Sequence, residues 1–485
     1  MKRETLAEKK KTKNEKVKLF KREPGWEKLR KGEEEILEGY CADYIDFLSS
    51  TKTERRVHAQ LVELARKRGF RDIDEVNRSG KKLKPGDGVY RAIDGKTLLL
   101  ARIGKAPLAE GLNLVGGHAD CPRLDLKPYP LYQDEELVLL DTHYYGGIKH
   151  YQWLTMPLAI YGVIIRRDGV KLDIAIGDNP EDPVFCITDI LPHLDVEQSR
   201  KTMREGVRGE KMNVIFGSRP VAKADDDKDV PQKAKLNILR MLREAYGIEE
   251  EDFVSAELEV VPAGRARELG FDRSMVLGYG QDDRVCSYAA ARAVLDCPEI
   301  PERTMGALIV DKEEIGSYGR TGMDSTFLPN SVAELVQACE KDYSDLTVRR
   351  ALEHTRMLSA DVGTLADPDY KGVNSDGNMG RLNCGLQINK YDGGGGKSGA
   401  SDASAEFMAR VRKVFNDNAV LWQPCELGKP DIGGGGTIAM YMARFGIEVV
   451  DCGVGLMCMH APWEVAGKLD IYMAYKGYMA FLARA

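Results

Sequence analysis

The stretch DKEEIGS, residues 311–317, follows the apolar run ALIV and sets Glu313 and Glu314 side by side. Neighbouring carboxylates repel, and on an exposed loop a glutamate pair is merely hydrated. Here the preceding residues read as a buried strand, and Gly316 and Ser317 mark a tight turn directly after the acids. The carboxyl end of such a strand is where open α/β sheets bind ligands. Strand side chains alternate in direction, so adjacent acids there can take different jobs on one ion or water. Histidine is scarce, seven in the chain, which makes each one at a strand end informative. His118 closes NLVGG and carries Asp120 two residues on, placed to hold the imidazole's other ring nitrogen and fix the tautomer of a metal-bound ring. His460 in LMCMHAPWE lies just past IEVVDCG, Asp361 ends LSAD, and Asp282 in YGQDDR opens a helix.

Taken singly, each has a plain reading as a core histidine, a capping group or a helix N-cap. Together they make a hard and borderline ligand set suited to two zinc or similar divalent ions. Two metals about 3.5–4 Å apart need one carboxylate between them and two further ligands each. Five residues supply that, as one bridge and four terminal ligands. The sixth acid explains the pair: Glu314 ligates while Glu313 takes a proton from the activated water, and the dications offset their repulsion.

An α/β frame must position these groups. Residues 15–70 carry mixed charge at helical spacing, as in EEEILEGYCADYIDFLSS and ERRVHAQLVELARKRGF. TLLLARIG and NLVGGHAD read as strands. From about 130 to 260 the texture turns to alternating strand-like stretches such as ELVLLDTHYYGG and KLDIAIG, then the acidic linker ADDDKD and a helix KAKLNILRMLREAYG. That span reads as an inserted domain, 130–260, between flanking parts 1–129 and 261–485. Beyond it helices and strands alternate: DDRVCSYAAARAVLD, GALIVDKEE, AELVQACEKDY, LSADVG, SAEFMARVRKVFND and IEVVDCGV.

With 485 residues and a net charge of −6, the chain has room for more than one core and no basic footprint for nucleic acid. No apolar run approaches the roughly 20 residues of a membrane span, and the basic N-terminus (MKRETLAEKKKTKNEK) lacks the apolar stretch of a secretory signal. It reads as a solvated helix or arm, and the expected location is the cytoplasm. Ten cysteines without a C-x-x-C pair read as reduced core residues. YDGGGGKSG, residues 391–399, imitates a phosphate-binding loop but has Tyr391 where the first glycine belongs. H-E-x-x-H, the single-zinc helix motif, does not occur.

In chain order, TKTERR, GGHADCPRLDLKP, HYYGGIKHYQWLTMPLAIYG, VPAGRARELGFDRSMVLGYGQDDR, DKEEIGS, SADVG, GGGGKSGASDASAEF, ELGKPDIGGGGTIA and MHAPWE resemble the aspartyl aminopeptidase and vacuolar aminopeptidase I family of dizinc exopeptidases, metallopeptidase family eighteen. The likeness extends over nearly the whole chain. It implies that His118 and Asp361 bind one metal, Glu314 and His460 the other, and that Asp282 bridges. Glu313 would be the general base and Asp120 the partner of His118. It further implies an α/β fold, with a zinc-exopeptidase-like mixed sheet flanked by helices and interrupted by a β-rich dimerisation domain. Assembly would be a tetrahedral homododecamer. The function expected is a dinuclear aminopeptidase acting on peptides, with two divalent ions per chain, Zn2+ first and Co2+ or Mn2+ as substitutes. A dizinc amidohydrolase acting on N-acyl amino acids would share the metal centre, and a shell protein without chemistry would not have kept the ligands. One departure stands out. LPHLDVE (191–197) retains His193 but has Glu197 where the eukaryotic branch sends a histidine into a neighbouring subunit's site.

Overall fold

The computed structural model describes residues 19–221 and 231–485. The N-terminal arm and the linker ADDDKD expected from the sequence lie outside the described residues. The largest sheet has nine strands, in the order Arg71–Asp72, Gly88–Ile93, Thr97–Arg102, Met305–Val310, Asn113–His118, Arg356–Ser359, Glu448–Gly453, Leu386–Asn389 and Trp422–Cys425. The four strands from Met305–Val310 to Glu448–Gly453 are mutually parallel, and antiparallel neighbours flank them on either side. The α/β class and the mixed sheet are as the sequence led one to expect.

Met305–Val310 and Asn113–His118 are buried at every position, which is why they read as continuous apolar runs rather than alternating ones. One core lies against helices Glu33–Ser50, Glu54–Lys67, Gln281–Asp296 and Lys468–Arg484. A second core, around Val332, Leu352 and Met442, lies under Phe327–Cys339, Asp345–Glu353 and Ala439–Ala443. The helix expected at 333–343 starts earlier, at Phe327, and ends at Cys339. Pro329 stands in its first turn, where a missing N–H costs no helical bond. Lys468–Arg484 gave no helical signal in the sequence because it is buried along most of its length and shows little polar face.

A six-stranded antiparallel sheet holds Lys171–Ile176, Leu158–Ile165, Ala256–Pro262, Arg123–Asp134, Leu137–Tyr145 and Val214–Gly217, in that order. It has its own core, with Trp153 fully buried. Its first strand starts at Arg123, so residue 130, where the texture changes, falls inside that strand. Pro128 and Pro130 interrupt the alternation within that strand. The link from the nine-stranded sheet is short: His118 ends one sheet and Arg123 begins the other. A third sheet of five short strands contains Gly455–Met457 and Glu464–Gly467, which bracket His460. All ten cysteines are unpaired, and Cys458 is exposed.

Candidate metal centre

Strand order gathers the singled-out residues. Val310 pairs with His118 in parallel register, and Ser359 lies opposite both Gly116 and Asp451. The carboxyl ends of these strands therefore open on one edge of the sheet, with the acids of residues 313–314, His118 and Asp361 side by side. The chain leaves Val310 through Lys312, in the left-handed conformation at φ +68°, and turns into the short helical segment Glu313–Ile315. Asp282 and Asp283 open helix Gln281–Asp296 with non-helical backbone angles, and neither side chain caps it. The N-cap reading of Asp282 therefore does not describe this helix. Its carboxylate lies between the two histidines, Oδ1 at 3.3 Å from His118 Nε2 and Oδ2 at 3.2 Å from His460 Nε2.

Around that bridge, Asp361 Oδ1 is 3.8 Å and Glu313 Oε2 3.9 Å from His118 Nε2, and Glu314 Oε1 is 3.5 Å from His460 Nε2. Ligand atoms of His118, Glu313 and Asp361, and of His118, Asp282 and Glu314, fall within 4.8 Å of one another. Both rings have a settled tautomer. His118 Nδ1 is 3.0 Å from the Asp120 carbonyl oxygen, and His460 Nδ1 is 2.9 Å from that of Gly147. A carbonyl only accepts, so each Nδ1 carries a proton and each ring turns its Nε2 toward carboxylate oxygens. Unless a proton or a cation stands between them, each Nε2 and the carboxylate oxygens meet as acceptors, and the buried oxygens Asp282 Oδ1 and Glu314 Oε1 have no hydrogen-bond partner. Such a constellation is stable only with positive charge between its members. Nitrogen and carboxylate oxygen around a buried bridging carboxylate fit divalent zinc.

The electrostatics express the same demand. Burial, with Asp361 adding to it, pushes the Glu313 carboxyl up to about 8. Burial and Asp282 raise Glu314 well above the usual carboxylate range. Burial would also raise Asp282, but the two histidines facing it, His118 and His460, outweigh it and hold Asp282 below that range. Burial works against a proton on His460, yet Asp282 and Glu314 raise it to about 10.

Asp120 takes a larger part than its spacing indicated. Its carbonyl, rather than its carboxylate, is the nearer partner of His118 Nδ1; carboxylate Oδ1 is 3.4 Å away. The carboxylate is turned to accept from the backbone N–H groups of Glu313 and Glu314, at 3.2 Å each, and from the Tyr145 hydroxyl at 2.8 Å. Sequence reasoning missed three further contributors. Asp283 Oδ2 accepts from the His118 N–H at 3.3 Å. Glu464 accepts from the N–H of His460 at 2.8 Å and of Asp282 at 3.1 Å, tying two candidate ligands together. Tyr145 arrives from the six-stranded sheet. Glu464, at i+4 from His460 within LMCMHAPWE, was the one most open to detection. Asp283 follows Asp282 in YGQDDR with no signal to set it apart, and HYYGG carries no chemical signal of its own. Access is asymmetric: the His118 side chain is 1% exposed and that of His460 36%. A cleft of about 480 Å³, lined by Gly147, Lys149, Thr364, Met457 and His460, opens on the His460 side.

Residues 47–482 match the family model described as aminopeptidase I zinc metalloprotease (M18). A "probable M18 family aminopeptidase 1" from Clostridium acetobutylicum is 49% identical over 437 residues, 90% of this chain and 93% of that protein. The solved M18 aminopeptidase of Thermotoga maritima superposes with a TM-score of 0.90 at 41% identity, covering 96% of this chain and 100% of that one. The solved S. cerevisiae mApe1, a dodecamer, shares the fold with a TM-score of 0.72 at 22% identity, covering 92% of this chain and 97% of that one.

Proposed function

The chain belongs to the aminopeptidase I (M18) family of zinc metalloproteases, hydrolases of peptide bonds, and from that premise we propose that the cluster around Asp282 is the catalytic centre and holds two divalent cations, zinc first. His118 and Asp361 would hold one ion and Glu314 and His460 the other, with Asp282 shared between them. The observation that carries this reading is the pair of Nε2 atoms, each facing one oxygen of the same buried carboxylate. When bound, the ions supply Lewis acidity, polarising the scissile carbonyl and making water acidic enough to attack at neutral pH.

The protein's own groups do the rest. Glu313, on the Asp361 side of the cluster, accepts the proton of the attacking water. As the C–N bond breaks, it returns that proton to the leaving amine, so water adds across the peptide bond without a net proton change. Asp120 fixes the backbone of both glutamates while its carbonyl orients His118, and the Gly147 carbonyl orients His460. The cleft beside His460 admits the N-terminal end of a peptide. The matching family and the Clostridium acetobutylicum and Thermotoga maritima relatives are named as aminopeptidases, and none of those names supports the N-acyl amino acid alternative.

Self-association through the inserted domain, to a homododecamer in the cytoplasm, completes the proposal. It is supported by exposed apolar side chains there, among them Val184, Leu191, Leu194 and Met203. No described helix is long and apolar enough to cross a membrane. The test is chelation of the purified protein followed by metal analysis and peptide assays. Activity lost with the metal, restored by zinc, cobalt or manganese, and about two ions per chain at saturation are expected. Full activity in rigorously metal-free protein overturns the proposal, as does hydrolysis of N-acyl amino acids in preference to unblocked peptides.

A further inference from the structure

The last turn of the inserted sheet reaches back into the centre. Tyr145, Gly146 and Gly147 follow one another at the end of strand Leu137–Tyr145, and each meets a different part of the cluster. The Tyr145 hydroxyl donates to Asp120 Oδ2 at 2.8 Å. Gly146, at φ +72°, lies so close to Glu314 that an added Cβ would stand 3.2 Å from Oε2 and 3.3 Å from the glutamate Cβ. The Gly147 carbonyl takes the Nδ1 proton of His460 at 2.9 Å. We propose that Tyr145–Gly147 is a strap by which the inserted domain positions the ligands of both metal ions, with Tyr145 as its positioning residue. The proposal rests on the metal-centre reading above and adds to it a dependence on the inserted domain.

Tyr145 is itself held in place. It pairs across the strands with Arg123, whose guanidinium lies 3.9 Å from the centroid of the tyrosine ring. Arg123 is 5% exposed and is pinned by Asp125 at 2.7 Å, by Glu259 at 3.2 Å and by Glu54 at 3.6 Å. A buried cation on the ring face locks its plane and leaves the hydroxyl one direction, toward Asp120. Because Asp120 also accepts from both glutamate N–H groups, its placement sets where residues 313–315 present their side chains. Outer hydrogen bonds of this kind tune metal affinity by fixing ligand orientation. The two glycines do the complementary work: only a residue without Cβ lets the strap lie against Glu314 while its next carbonyl reaches His460.

The experiment measures zinc transfer from the purified holoenzyme to a chromophoric chelator, together with kcat, KM and thermal midpoint. Tyr145→Phe removes one hydroxyl and leaves the ring beneath Arg123. It should speed zinc release or weaken affinity about 10-fold or more, and lower kcat by a similar factor, with KM and the midpoint little changed. Gly146→Ala, which crowds Glu314, should loosen zinc by a separate route and keeps the idea testable should Tyr145→Phe fail to fold. Tyr132→Phe removes a hydroxyl in the same sheet that accepts from the Asn213 amide at 2.8 Å, and should leave zinc release unchanged. Wild-type zinc release in Tyr145→Phe, or an equal loss in Tyr132→Phe, overturns the strap. A wild-type protein that binds no zinc overturns the metal centre instead, and the strap with it.

Discussion

Replacing Asp120 with asparagine removes one charge and one acceptor while keeping the shape of the side chain. Both carboxylate oxygens are in use: Oδ1 receives the Glu313 N–H, with His118 Nδ1 3.4 Å away, and Oδ2 receives the Glu314 N–H and the Tyr145 hydroxyl. An amide turned with its NH2 at the Oδ1 position meets two donors. Turned the other way it meets one backbone donor, and the tyrosine hydroxyl can rotate to accept. The second pose is cheaper, and it leaves the Glu314 N–H buried without a partner. Hydrogen bonds to a charged group contribute about 1.5–3 kcal/mol each. One such bond lost and the others deprived of charge give a destabilisation of about 3 kcal/mol. The distortion falls on the turn that presents both glutamates, so activity should drop roughly 10- to 100-fold. Steady-state kinetics on an unblocked peptide, zinc content and the thermal midpoint measure the three consequences. Asp141→Asn, which alters a surface pair with Lys127, serves as control. Activity within twofold of wild type at unchanged zinc content and midpoint refutes the argument that Asp120 fixes the turn.

Glu313→Gln should lower kcat by roughly 10²–10⁴ with zinc retained, whereas Glu314→Gln should lose zinc first; the opposite pattern in metal analysis reverses the two roles. Burial, with Arg55 nearby, lowers the His58 imidazole from 6.5 to about 4. The unfolded chain therefore takes up this proton first, and the stability His58 provides is complete above pH 6.5 and is lost as pH falls toward 4. Discounted for partial exposure, the loss is about 2 kcal/mol, so His58→Gln should show a smaller drop in thermal midpoint between pH 7 and pH 5 than wild type; equal drops remove His58 as the source. Light scattering should find a particle of about twelve chains, active on short peptides and inactive on a folded protein with an accessible N-terminus; a fully active monomer at nanomolar concentration rules out the shell.

The sequence alone determined what is local. An apolar run that ends in His118, another that ends before Glu313, and the turn residues after them are properties of short stretches, so the strand ends and the chemical types at them could be read directly. The amphipathic helices Glu54–Lys67 and Ala405–Asp417 were equally legible, because one face of each is solvated. Helix Lys468–Arg484 was not, being buried along most of its length. Tertiary structure decided which strands are neighbours, since pairing joins residues as far apart as Leu114 and Met357 through backbone hydrogen bonds that no side-chain pattern encodes. It also decided that the Asp120 carboxylate faces Glu313, Glu314 and Tyr145, leaving its carbonyl as the nearer partner of His118. Spacing in the chain limits how far a side chain can reach. The direction it takes depends on which donors the fold brings to meet it, and those came from a loop and a sheet distant in sequence.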